Sequence, residues 1–125
     1  MEQLPAHWPT GVRPPGADGW EAGSVAWLLD LVPGEYRQYE VLRRHPILLA
    51  RFTAGHVDAC LAAARQGWRD LRGDLGKELP PPVIEAAMAA YQREGTRLAE
   101  LARAVAAVQA ALSGRRWIPG AGRWS

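Results

Sequence analysis

The sequence predicts an all-α fold: an antiparallel hairpin of two long helices, over residues 46–79 and 82–113, with a short helix over 24–32 packed on it. Three observations predict it. Apolar residues recur at alternating steps of three and four through both long segments, the spacing of a helix with one buried stripe. Leu79-Pro80-Pro81-Pro82 separates the two runs, and a connector so short makes the helices it joins neighbours of opposite direction. Proline and glycine collect at both ends of the chain, leaving about 90 residues for a single domain.

Residues 1–23 hold Pro5, Pro9, Pro14 and Pro15 together with Gly11, Gly16 and Gly19. That spacing removes backbone donors too often for a helix or a central strand, so a mobile arm is expected. Ser24 is the expected N-cap of the short helix, in which Val25, Leu28, Leu29 and Val32 share one face before Pro33-Gly34 ends it. Glu35 to Arg44 reads as one or two helical turns presenting Tyr36, Tyr39 and Leu42, with an extended Tyr39–Leu42 as the alternative. His45 precedes Pro46, which moves His45 out of the α region and makes Pro46 a good first helical residue.

The first long helix carries a seam of Ile47, Ala50, Ala54, Val57, Leu61, Ala64, Trp68, Leu71 and Leu75. The second carries Ile84, Ala87, Tyr91, Glu94, Leu98, Leu101, Val105, Val108 and Leu112, and Ser113-Gly114 stops it. This is a coiled-coil rhythm. Helices of this length run ~50 Å. Aligned about the prolines, paired residue numbers sum to about 159, which sets Trp68 on Tyr91, Leu61 on Leu98, Ala54 on Val105 and Ile47 on Leu112. A second stripe, Leu49, Phe52, His56, Cys60 and Ala63, is expected beside Ala99, Ala102 and Ala106, with the 24–32 helix as its lid.

Composition narrows the function classes. The formal net charge is +2, the pI about 9.1, and Lys77 is the sole lysine among 15 basic residues. Asparagine is absent while alanine, arginine, glycine and proline abound, the signature of a high-GC, bacterial genome that inflates arginine by codon usage. Cys60 stands alone, which excludes an internal disulfide and fits a reducing compartment. Met1 to Pro5 lacks the basic and apolar regions of a signal peptide, and no uninterrupted apolar run reaches ~18 residues. A cytoplasmic protein that contacts no membrane is the expectation.

Residues that carry chemistry elsewhere lack their partners here. His56 and Cys60 stand at i, i+4 and suit zinc, but His7 and His45 lie far off in sequence and there is no second cysteine, so no metal site is expected. Ser24, Ser113 and Ser125 sit at a cap, a helix end and the terminus, outside any nucleophile motif. Neither GxGxxG nor GxxxxGK[ST] occurs. No catalytic residue, cofactor or small-molecule ligand is expected, and the chain is read as a non-enzyme. Glu94 is the one carboxylate in a seam, and the register sets Arg65 opposite it, so an Arg65–Glu94 pair that fixes the alignment is expected.

Pairing the helices gathers cations at one end. Arg43, Arg44, His45 and Arg51 open the first long helix, and Arg115, Arg116 and Arg123 follow the second. A basic pole of that kind binds phosphate backbone, unless Asp30, Glu35 and Glu40 neutralise it. Trp8, Trp20, Trp117 and Trp124 lie in the two end segments, the second of them the basic 114–125 tail, where tryptophan is unusual. They are candidate anchors, for the chain's own bundle or for a partner protein.

The stretches Trp27-Leu-Leu-Asp-Leu-Val-Pro-Gly-Glu-Tyr-Arg37, Val41-Leu-Arg-Arg-His-Pro46 and Gly114-Arg-Arg-Trp-Ile-Pro resemble small uncharacterised helical proteins of high-GC actinobacteria. That resemblance implies a bacterial source and no activity. A likeness to the secreted Trp-x-Gly helical hairpins extends to length and the two helices, but Leu79-Pro-Pro-Pro82 replaces their Trp-x-Gly turn, and Tyr36 and Glu40 precede the hairpin that their Tyr-x-x-x-Glu follows. The function expected from the sequence is a non-catalytic interaction module that self-associates or docks on a protein. Nucleic-acid binding at the basic pole is the alternative.

Overall fold

The computed structural model describes residues 4–118, 123 and 124, and is mostly helical. Its elements are α1 (Trp20–Leu31), a 3-10 turn (Gly34–Gln38), α2 (Glu40–Arg44), α3 (Pro46–Leu75), α4 (Pro81–Leu112) and two-residue strands β1 (Trp117–Ile118) and β2 (Arg123–Trp124). The beginning of the expected arm (1–3), the tail residues 119–122 and Ser125 lie outside the described residues.

The hairpin is α3 against α4. His45 sits at φ −126°, ψ 88°, outside the helical region, and Pro46 opens α3 as the steric conflict before a proline requires. The helix ends at Leu75, one turn before the expected 79: Gly76 and the turn that follows spend the last residues on reversing the chain. Pro80, extended at ψ 147°, caps α4, which starts at Pro81 and ends at Leu112. Beyond it Gly114 takes φ 78°, letting the Arg115 N–H reach the Ala110 carbonyl (3.1 Å) and the Gly114 N–H the Ala111 carbonyl (3.1 Å).

Alignment follows the sequence closely. The Tyr91 ring lies on Gly67, and Arg72 bonds Glu85 across the hairpin (2.7 Å), one and two residues from the expected register. Leu61, Ala64, Leu98, Val105 and Val108 are buried between the helices. Three apolar seam residues of α3 depart, since Ile47, Trp68 and Leu75 are exposed; at Ile47 the N-terminal turns of the helix bury Leu49, Ala50 and Thr53 instead. Thr53 is fully buried and donates its hydroxyl to the Leu49 carbonyl (2.9 Å), which satisfies it inside its own helix.

The lid helix starts a turn earlier than its capping signals indicate. Ser24 is not the N-cap but a fully buried residue inside α1, its Oγ without a partner; Gly19, left-handed at φ 76°, precedes the first turn. Packing explains the shift. Trp20 packs on Trp8 with ring centroids 6.5 Å apart and planes tilted by 56°, and Trp8 is only 7% exposed, so helix extension is favoured by apolar burial that local signals do not encode. Over residues 4–18 the expected arm is instead a series of turns that lay Trp8 into the core, with its indole N–H on the Val12 carbonyl (2.9 Å). His7, at φ 64°, is the one non-glycine in the left-handed region among the described residues and aims the chain inward there.

The lid covers one half of the hairpin. α1 packs on α3 and more lightly on α4, Leu28 and Leu29 filling the core, while the 3-10 turn and α2 add Leu42 and the half-buried Tyr36. Leu31, at the end of α1, borders a cavity with Val57, Cys60, Leu98 and Leu101, and beyond that level the hairpin stands as two helices alone. α3 is the one helix among the described residues long and apolar enough to cross a membrane; a core helix of this composition meets the same measure, and here its Leu49, Ala50, Val57 and Leu61 are covered by other helices.

Candidate functional site: a groove in the uncovered half of the hairpin

Where no third element covers the hairpin, α3 and α4 part to leave a groove of about 450 Å³. Ala64, Trp68, Tyr91, Gly95 and Ala99 form its floor, with Arg65 and Arg69 on the α3 rim and Gln92 and Thr96 on the α4 rim. Small side chains make it. A Cβ on Gly95 would meet nothing within 4 Å, so the glycine leaves space that an alanine would begin to fill. Gly67 acts in the opposite sense: a Cβ there would overlap the Tyr91 ring, so its absence lets Tyr91 press against α3. Trp68 remains 44% exposed beside it, a large apolar surface that the hairpin alone does not hide.

The groove's charge is one-sided. Arg65 is exposed and makes no ion pair among the described residues, and Arg69 bonds only the neutral Gln66 (2.9 Å). The expected Arg65–Glu94 pair does not form. Glu94 lies on the opposite flank, exposed, and takes two hydrogen bonds from Arg97 on its own helix, one of 3.1 Å. A partner three residues away on the same helix reaches it without crossing the hairpin. The Arg97 hydrogen bond holds the Glu94 carboxyl below its ordinary value against the opposing effect of burial, and Arg97 is raised in return.

The second stripe meets a different neighbour from the one expected. His56 and Cys60 border a 220 Å³ cavity with Asp30, Glu94, Arg97 and Leu101, not Ala99, Ala102 and Ala106, while Phe52 and Ala63 are exposed. A heptad seam fixes which residues face the partner helix but leaves the handedness of its flanks to the crossing geometry. Cys60 Sγ lies 3.6 Å from His56 Nε2. Among the described residues no three His, Cys, Asp or Glu side chains gather in a way that could hold a metal ion.

The four tryptophans expected as anchors turn toward their own chain. Trp8 is in the core, Trp20 lies on it, and Trp124 packs against the core while pairing with Trp117 across the β1–β2 ladder. Trp117 is half-buried, its indole N–H enclosed without a partner. Of the arginines at the basic end, Arg43, Arg44, Arg51, Arg115, Arg116 and Arg123 are all exposed, and the antiparallel hairpin places the start of α3 beside the end of α4. Arg44 is engaged by Glu40 (2.8 Å). Arg115 and Arg116 also follow the negative end of the α4 dipole, an interaction that stabilises the helix whatever else they contact.

The fold and its groove define a small helical-hairpin protein with a half-length third layer and an apolar groove that this layer leaves uncovered. No protein-family model matches the chain, no curated protein matches it, and no solved structure matches it. The residues that the sequence reading did not single out as a site are Trp68, Tyr91 and the rim residues Arg69, Gln92 and Thr96. Their signal was present in Gly67 and Gly95, small residues flanking a Trp–Tyr pair on a seam that nothing else was available to cover.

Proposed function

We propose that this chain is a non-catalytic helical interaction module that docks on protein surfaces through the groove between α3 and α4. The observation that carries the reading is Trp68, nearly half exposed on the floor of a 450 Å³ groove beside Tyr91, with apolar residues beneath and polar residues at both rims. Exposed aromatic surface framed by polar groups is the composition of an interface centre, where Trp, Tyr and Arg contribute most. A photoreactive phenylalanine analogue in place of Gln92 tests it in cells that carry the gene. Adducts to protein that form at position 92 and not at the exposed position 63 on the other side of α3 are expected; none at position 92 would overturn the reading.

A second reading, polyanion binding at the basic end, is supported by Arg43, Arg51, Arg115 and Arg123, which make no ion pair among the described residues. Its test is the salt dependence of binding to duplex DNA, which must be steep if phosphates are contacted.

A further inference from the structure

We infer that the occupant of the groove is a second copy of this chain, related by a two-fold axis along the groove so that α3 of each protomer lies on α4 of the other; the inference rests on the docking reading above. Surface area is the first argument. The chain exposes 8259 Å², whereas a compact monomer of its 13.7 kDa mass exposes about 6,600 Å². The surplus of about 1,650 Å² is twice what each partner contributes to a standard interface, roughly 800 Å².

The seven-residue stripe is the second. Ile47, Ala54, Leu61, Trp68 and Leu75 recur on one face of α3, yet only Leu61 is buried, and Ile47, Trp68 and Leu75 count among the most exposed apolar residues of the molecule. α4 thus covers part of a stripe whose regular spacing suits packing against more than one helix. A second hairpin supplies the missing helices and turns a two-helix arrangement into a four-helix one.

Charge selects the orientation of the two copies. The groove's rim cations, Arg65 and Arg69, stand on α3 alone, and the α4 rim is the uncharged Gln92 and Thr96. If α3 lay on α3, four guanidinium groups would crowd one strip, a like-charge arrangement that costs stability. With α3 on α4, each arginine instead meets an amide or hydroxyl that can accept its hydrogen bond. No acidic partner is required, every adjacent helix pair is antiparallel, and the surface is complementary to itself as an isologous two-fold demands.

Sedimentation of the full chain at about 100 µM, far above a micromolar Kd, is expected to give a species near 27 kDa, twice the 13.7 kDa chain. Trp68→Arg and Gln92→Arg, each checked for helix content, are expected to halve that mass. In a Cys60→Ser background, a mixture of Arg65→Cys and Gln92→Cys chains is expected to form a disulfide between the two, and Arg65→Cys alone none with itself. A monomeric parent overturns the second-copy inference, and if position 92 still cross-links another protein in cells the docking reading survives it. A dimer unaffected by both arginine variants, or an Arg65→Cys homodimer, overturns this interface.

Discussion

Gly67 and Tyr91 compete for one volume: the Cβ that any other residue would place on Gly67 clashes with the hydroxyl-bearing edge of the Tyr91 ring. Helix propensity alone would favour alanine at position 67 by ~1 kcal/mol. The contact reverses that sign. Gly67→Ala is expected to lower stability by about 1–3 kcal/mol through the displaced ring. Gly55, also inside α3 but with open space at its Cβ, is the control. Gly55→Ala is expected to raise stability by ~0.5–1 kcal/mol. Urea unfolding of the two variants beside the parent reads the opposite signs directly.

The Glu94–Arg97 pair makes a small part of the stability depend on pH. Because Arg97 depresses the Glu94 carboxyl, the folded chain binds that proton less readily than the unfolded chain does. The contribution is complete above the ordinary carboxylate range and is lost as pH falls through the lowered folded value. Glu94→Gln should therefore differ from the parent at neutral pH and converge with it in acid. Both side chains are exposed, so the difference is small. A double-mutant cycle of Glu94 with Arg65 should show no coupling, since the two lie on different flanks.

Trp8 ties the N-terminal turns to the bundle. Trp8→Ala removes a buried indole, and truncations of that size cost about 3–5 kcal/mol. Leu28→Ala, in the fully buried face of α1, is expected to cost about 2–5 kcal/mol. Their proteolysis patterns should differ: Trp8→Ala should expose thermolysin cleavage at the Gly11–Val12 bond before any cleavage in α3, whereas Leu28→Ala should sensitise α1 itself. Equal protection of the Gly11–Val12 bond in the parent and in Trp8→Ala would mean that the indole does not hold that segment.

At the basic end, binding to duplex DNA is expected to weaken linearly in log Kd against log salt. Each phosphate contact contributes a slope of about 0.9. Replacing Arg43, Arg51 and Arg115 with alanine should reduce the slope by up to ~2.7 if all three contact phosphate. An unchanged slope would exclude those residues from the contact, whatever the affinity.

The hairpin was legible in the sequence because its signals agree. The heptad spacing, the proline break and Gly114 all specify the same two helices, and the register was read to within two residues. What escaped was set by contacts distant in sequence. Ser24 is a strong capping residue whose signal was overridden by Trp20 meeting Trp8, and the Pro/Gly density of residues 5–19 masked turns that carry an indole into the core. The Arg65–Glu94 pair failed for a different reason: a carboxylate on a seam stripe has a partner at i+3 as well as one across the hairpin, and the wheel does not rank them. Trp68 and Tyr91 were placed as facing partners, but that placement could not reveal how little of Trp68 the pairing would cover.

The half-length lid has a kinetic consequence. α1 secures α3 and α4 only as far as Leu31 reaches, so the backbone amides on the proline side of Ala64 and Glu94 depend on a two-layer contact, whereas those toward Pro46 and Leu112 are held from three sides. Deuterium uptake should run along the hairpin as a gradient, fastest near Gly76 and Pro81 and slowest near Val57 and Val105, with opening that begins at the turn and stops at the end of α1. The chain would then behave as a zipper with one fixed end.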